Sequence, residues 1–196
     1  MSSLFKSYFV LAASLITFLG CKFQNNSDSA TYEELQINSD STTYENFQSA
    51  KCSMLYPKEW KIDSSERFGE SFGVLLLRIL APHESSKDQF TESILLTTTN
   101  LPDSITDIDK FIKWNKEDIS KLGDSIVIKR KKDKDSTSFC QIESENSSSG
   151  SLCKYVQALW LDKQKVYMLT CTSEKKNLKT YYGIFQKVIS SFRLNR

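Results

Sequence analysis

The C-terminal stretch of this 196-residue chain limits its fold more than any other. Leu178, Tyr181, Tyr182, Phe185, Val188, Ile189 and Phe192 recur at the i, i+3, i+4 and i+7 spacing that gathers large apolar side chains on one stripe of a helix. A helix of that kind gains most of its stability from burying the stripe, so it requires a flat apolar partner. The sequence just before it supplies one. Ile126-Val127-Ile128 and residues 138–143, 152–161 and 166–172 read as four successive strands, separated by turn-like charged or small polar segments. They predict an antiparallel meander with the closing helix packed across it.

Upstream, Cys52-Ser53-Met54-Leu55-Tyr56-Pro57 reads as a strand ended by its proline, and Trp60-Lys61-Ile62 resumes the alternation after a turn. Residues 72–81 are almost continuously apolar through Val74-Leu75-Leu76-Leu77, which suits a strand covered on both faces. A polar loop over 82–90 leads to another strand at 92–100, rich in threonine. The period then changes. Ser104 and Asp107 form a capping box, Asp107 and Asp109 sit at the positive end of the helix dipole, and Ile108, Phe111, Ile112, Ile119 and Leu122 share one face before Gly123. The expected fold class is therefore α+β, a central antiparallel β-sheet with packed α-helices.

The N-terminus is of another kind. Lys6 is the only charge in residues 1–20, and the apolar run over 8–19 has the length of a secretory signal peptide, too short to span a bilayer comfortably. Its end, Phe18-Leu19-Gly20-Cys21, resembles the lipobox of bacterial lipoproteins, with Phe18 and Leu19 where leucine and a small residue are usual. That resemblance implies cleavage after Gly20, lipid attachment at the Cys21 sulfur, and anchorage to a membrane through several acyl chains. Lys22 follows the cysteine, which by resemblance to the sorting rule of enteric bacteria favours the outer membrane of the cell envelope.

Residues 21–49 read as a lipidated flexible tether and 50–196 as the folded domain. The tether is polar, with Lys22 against Asp28, Glu33, Glu34, Asp40 and Glu45, a net charge of -4. As a random coil its 28 residues beyond the cysteine span roughly 30 Å. No internal repeat stands out. The remaining 147 residues suffice for one domain and carry about +5 by difference. An exported, mildly basic domain without a concentrated basic face is not expected to bind nucleic acid. Within it Lys129-Arg130-Lys131-Lys132-Asp133-Lys134-Asp135 reads as a solvated hairpin turn, or as a docking site for anionic lipid or an acidic partner.

Once Cys21 is lipidated, Cys52, Cys140, Cys153 and Cys171 remain, an even number that permits two disulfides in an oxidising compartment. A hairpin around residues 146–150 would bring Cys140 opposite Cys153 and leave Cys52 for Cys171; four buried thiols are the alternative. None of them forms a C-x-x-C pair and there is one histidine, so neither a zinc site nor any other cofactor is expected.

Beyond these local patterns, residues 50–196 resemble the PsbP-like and DcrB-like superfamily. The resemblance rests on Tyr56-Pro57-Lys58-Glu59-Trp60, on Asp88-Gln89-Phe90-Thr91-Glu92-Ser93-Ile94, on the first helix after Leu101, and on the closing helix ending in Ser190-Ser191-Phe192. It implies an antiparallel sheet with packed helices, and supplies no catalytic residues. Nor do the residues themselves form a catalytic constellation. His83 stands beside Glu84 and Ser85 in a polar loop, and no nucleophile elbow, phosphate-binding glycine loop or H-E-x-x-H pair occurs. Trp60 and Trp160 are expected in the core, whereas Trp114 lies just off its helix's apolar face, where it would suit an interface. The expected function is that of a non-catalytic envelope lipoprotein binding a protein partner. A carrier of an apolar ligand and a hydrolase using His83 are the alternatives.

Overall fold

The computed structural model describes residues 42–63, 74–83, 90–115, 125–132, 138–146 and 152–195. They form ten strands and two α-helices. In chain order the strands are β1 (Tyr44–Gln48), β2 (Cys52–Pro57), β3 (Lys61–Asp63), β4 (Val74–Leu80), β5 (Ser93–Asn100), β6 (Ser125–Lys132), β7 (Ser138–Asn146), β8 (Cys153–Asp162), β9 (Lys165–Glu174) and β10 (Arg193–Leu194). Helix α1 (Ile108–Trp114) follows β5, and α2 (Leu178–Ser191) follows β9. Two sheets result, one ordered β1-β2-β10 and one ordered β3-β4-β5-β9-β8-β7-β6. Every pairing is antiparallel.

The four strands expected before the closing helix form the expected meander, β6 to β9, and β9 then pairs with β5 at the centre of the large sheet. Alternation sorts their side chains. Ala158, Trp160, Leu169 and Cys171 join one core with Ile94 and Leu96, while Leu159, Val166 and Met168 belong to a second cluster on the opposite face. Helix α2 covers the first face. Its Phe185 and Val188 are fully buried; Trp60 meets Phe185 edge-on at 6.4 Å, and Trp160 lies 4.2 Å from Phe192 between ring centroids.

The small sheet explains the Tyr56-Pro57-Lys58-Glu59-Trp60 segment. Proline ends β2, the Trp60 N–H bonds the Pro57 carbonyl at 3.0 Å, and the chain turns from one sheet to the other as the Trp60 ring enters the core between them. The same helix serves both sheets. At its C-terminal end the Leu55 N–H donates to Ser191 Oγ at 2.9 Å, and β10 then pairs with β2.

Four expectations need correction. The tether does not extend to residue 49, because β1 pairs with Ser53 to Pro57 of β2 and packs Tyr44 and Phe47 against the main core. Polar composition hid a strand that buries only two of its side chains. β4 is not covered on both faces: Leu77 and Ile79 are buried, but Val74 is exposed, and a bulge between Leu75 and Leu77 lets Leu76 reach the main core. The first helix is capped by Asp107 alone, whose carboxylate accepts the Lys110 N–H at 2.8 Å; it is described to Trp114, and Ile119, Leu122 and Gly123 lie outside the described residues.

The fourth correction concerns the cysteines. Cys140 pairs across the ladder with Leu159, and Cys153 pairs with Asn146. Six positions along β8 separate those points, roughly 20 Å at strand rise, beyond the reach of a disulfide. Cys52 and Cys171 lie on strands of different sheets, and Cys52, Cys153 and Cys171 are all buried, Cys52 and Cys171 as free thiols.

Phe185 tests the role of α2. Truncating a fully enclosed phenylalanine removes its transfer energy and leaves a cavity, so Phe185→Ala should cost about 3–5 kcal/mol in denaturant unfolding. A loss below ~1 kcal/mol would mean that the helix does not close the core.

Candidate functional site

Two groups of polar and half-buried residues stand out, one on each face of the large sheet. The first lies where α2 begins. Glu143 and Glu145 occupy alternate positions of β7, so both rise on the face that α2 covers. The Tyr182 hydroxyl donates to Glu143 Oε1 at 2.8 Å. Glu145 receives Lys175 Nζ at 2.9 Å through one oxygen and pairs with Lys154 through the other. Asn177 occupies the helix N-cap position without capping, and its amide instead donates to the nearly inaccessible Glu92 at 3.2 Å.

Burial alone would push the Glu145 carboxyl up, but the hydrogen bonds and charges of Lys154 and Lys175 outweigh it and hold the group below the ordinary glutamate range. Each described carboxylate in this row accepts from an amide, hydroxyl or ammonium group. That is the chemistry of a clasp joining strand and helix, and it activates no nucleophile.

The second group lies on the opposite face. Helix α1 sets Ile108 and Phe111 over Leu159, Val166 and Met168, leaving Ile112 and Trp114 half-buried at the margin of that cluster. The Trp114 ring tilts against Phe111 at 6.2 Å between centroids. Asp109, Lys110 and Lys113 of the same helix are exposed, so the half-buried ring stands on an element that carries charges of both signs. Behind the helix, Gln157 donates to Thr170 Oγ1 at 3.2 Å, a buried polar pair on the same sheet face. Asn115 closes the helix; it is 2% exposed and its Nδ2 has no hydrogen-bond partner among the described residues.

The residues singled out from sequence are not brought together. Cys21 lies outside the described residues, as does much of the basic turn after Lys132. His83 is exposed, with residues 84–89 beyond it outside the described set. Trp60 and Trp160 are core residues as expected, while Trp114 reaches the surface. Burial pushes the Cys171 and Cys52 thiols up, away from the thiolate form, although the Ser49 hydroxyl partly counters this for Cys52. Among the described residues no three His, Cys, Asp or Glu side chains gather as metal ligands would, and no helix is long and apolar enough to cross a membrane.

This architecture has solved counterparts. LpqN of Mycobacterium tuberculosis, described as involved in cell envelope biogenesis, matches with a TM-score of 0.55 at 12% identity over 81% of this chain and 88% of its own. The cyanobacterial PsbP of Synechocystis matches at 0.51 and 12%, over 83% and 98%. The fold is PsbP-like. The Ran-binding protein Mog1p of Saccharomyces cerevisiae shares it at 0.53 and 10%, over 79% and 96%. No family model and no curated protein sequence matches the chain. At such identities the PsbP-like likeness concerns fold, and activity does not follow from it.

The clasp residues escaped sequence reading because their partners are remote, Glu92 from Asn177 and Glu143 from Tyr182. One signal existed: Glu143 and Glu145 alternate, which places both on one strand face. A pH titration tests the clasp. Glu145 has a lowered folded-state pKa, so its contribution is complete above the unfolded glutamate range near pH 4.3 and is lost as pH falls through the folded value. Glu145→Gln should therefore lower stability at pH 7 and reduce its decline on acidification below about pH 4.5. Parallel melting curves for both proteins from pH 7 to 3 would contradict this.

Proposed function

We propose that the chain is a non-catalytic lipoprotein of the bacterial cell envelope, exported by the signal peptide at 1–20, anchored through lipid on Cys21, and acting as a protein-binding module. The carrying observation is Trp114, half-buried on α1 beside exposed charged residues of the same helix, on the sheet face away from the closing helix. Tryptophan is enriched among residues that dominate binding energy, and a ring already braced on Phe111 loses little freedom when a partner covers it. The envelope role stated for LpqN and the Ran binding stated for Mog1p support a binding module on this fold. The lipobox-like Phe18-Leu19-Gly20-Cys21 supports the anchor, and the outer membrane is the favoured site because Lys22 follows the cysteine.

Two substitutions separate the parts of this reading. Cys21→Ser should leave the precursor unprocessed and unlabelled by radioactive acyl chains, whereas normal labelling would remove the anchor. Trp114→Ala should reduce in-cell crosslinking to the envelope partner by about thirtyfold, the equivalent of a 2 kcal/mol hot spot, while circular dichroism shows a folded domain. An unchanged crosslinking pattern would exclude the α1 surface. Lipid co-purifying stoichiometrically with the native protein would favour the apolar-ligand carrier instead.

A further inference from the structure

Among the described residues the large sheet ends on an unpaired strand edge. β6 pairs with β7 along its full length, from Ser125 opposite Glu145 to Lys132 opposite Ser138, and with no other described strand. In an antiparallel ladder alternate residues turn their N–H and C=O groups to either side, so about half of those of β6 face away from β7. Of the strands that end a sheet it is the longest, with eight residues against five in β1, three in β3 and two in β10. Such an edge is a template for a further strand, and charge on it decides which strands are refused.

The sequence of that edge is divided. Ile126, Val127 and Ile128 come first, and Lys129, Arg130, Lys131 and Lys132 follow. The ladder leaves the cationic half without a carboxylate opposite it. Those four positions stand against Gln141, Cys140, Phe139 and Ser138, whereas Glu145 and Glu143 stand opposite Ser125 and Val127 in the other half. The sign persists along the sequence, since residues 129–135 hold five bases and two acids. We propose that β6 is a docking edge for an acidic extended segment of a partner protein. The segment adds antiparallel to β6 as a further strand, its acidic N-terminal half opposite residues 129–132 and an apolar C-terminal half opposite 126–128.

Charge chooses the occupant. A second copy of β6 in full antiparallel overlap would bring four cations from each chain onto adjoining strands, and sliding it until the basic halves meet sets like charges directly opposite each other, which destabilises a pair. An acidic strand meets the same positions with pairs of opposite sign, so the residues that exclude self-association select the partner. Backbone hydrogen bonds supply strand addition whatever the sequence. The cations supply direction, because reversing the added strand sets its acids against the apolar half. The edge adjoins the surface described above, since α1 packs against β7 as well as over β8 and β9. An acidic strand on β6 deepens the protein-binding reading and rests on it for its purpose, while its geometry owes nothing to Trp114.

A synthetic peptide of four acidic residues followed by Val-Ile-Val-Thr tests this on the full-length chain in phosphatidylcholine vesicles. It should bind saturably, slow hydrogen exchange at 125–132, and lose affinity as salt screens the charges. N-methylation of one alternate set of its amides should weaken binding at least tenfold while methylation of the other set does not, since only one side of an added strand meets β6. The peptide of reversed sequence should bind at least tenfold more weakly, as should the original peptide to Lys129→Glu combined with Lys131→Glu. Should that variant fail to fold, the methylated and reversed peptides decide the matter on the wild-type chain. Absence of saturable binding, equal binding of both methylated sets, or equal binding of the reversed peptide would overturn strand addition. So would protection of 125–132 that arises without peptide, either in phosphatidylglycerol vesicles or with rising protein concentration, which would assign the edge to a lipid surface or a second copy. A failed peptide alongside Trp114-dependent crosslinking would remove β6 docking and leave the binding module standing.

Discussion

The apolar stripe of α2 is the interaction on which the rest of this molecule depends. Phe185, Val188 and Phe192 are buried in the core that receives Trp60 from the inter-sheet turn and Trp160 from the large sheet. Each such side chain contributes about 1.5–3 kcal/mol on leaving water. Because the helix is covalently continuous with β9 before it and β10 after it, burying the stripe also docks the small sheet. β10 pairs with β2, Ser191 receives the Leu55 N–H, and β1 then has an edge to join.

Hydrophobic contact alone is permissive about how a helix lies on a sheet, and the carboxylate row removes that freedom. Glu92, Glu143 and Glu145 would be costly on a covered face without partners, since a lost acceptor there forfeits the full desolvation energy. Asn177, Tyr182 and Lys175 meet them only when the start of α2 sits in one register over β7 and β5. The clasp therefore specifies position more than it adds stability. Polar groups that might have suggested acid-base chemistry are accounted for by this role.

The two faces of the large sheet consequently differ in character. One is committed to α2 and the small sheet, with Glu92, Glu143 and Glu145 held by donors from the start of the helix. The other carries the short helix α1, capped by Asp107 and ending at the buried Asn115, with Trp114 at its margin. A PsbP-like fold leaves that choice open, because likeness at 10–12% identity transfers the arrangement of strands and helices and no particular surface chemistry.

The type and order of most elements were legible in the sequence, because local periodicity reports burial directly: β6 to β9 and α2 stand where alternation and the 3.6-residue stripe placed them. The α+β class followed from their order. Register was not legible in the same way. Cys140 lies six residues further than Cys153 from the turn they flank, so the ladder gives them Leu159 and Asn146 as neighbours. Nor was β1, whose strand character depends on its pairing with β2 in the small sheet. Trp114 was readable as an off-stripe residue, whereas the clasp of Glu143 and Glu145 to the start of α2 was not, since Lys175 and Tyr182 stand about 30 to 40 residues away on the chain. What a residue needs from its own neighbours is written locally; which distant group meets it is decided when the helix closes over the sheet.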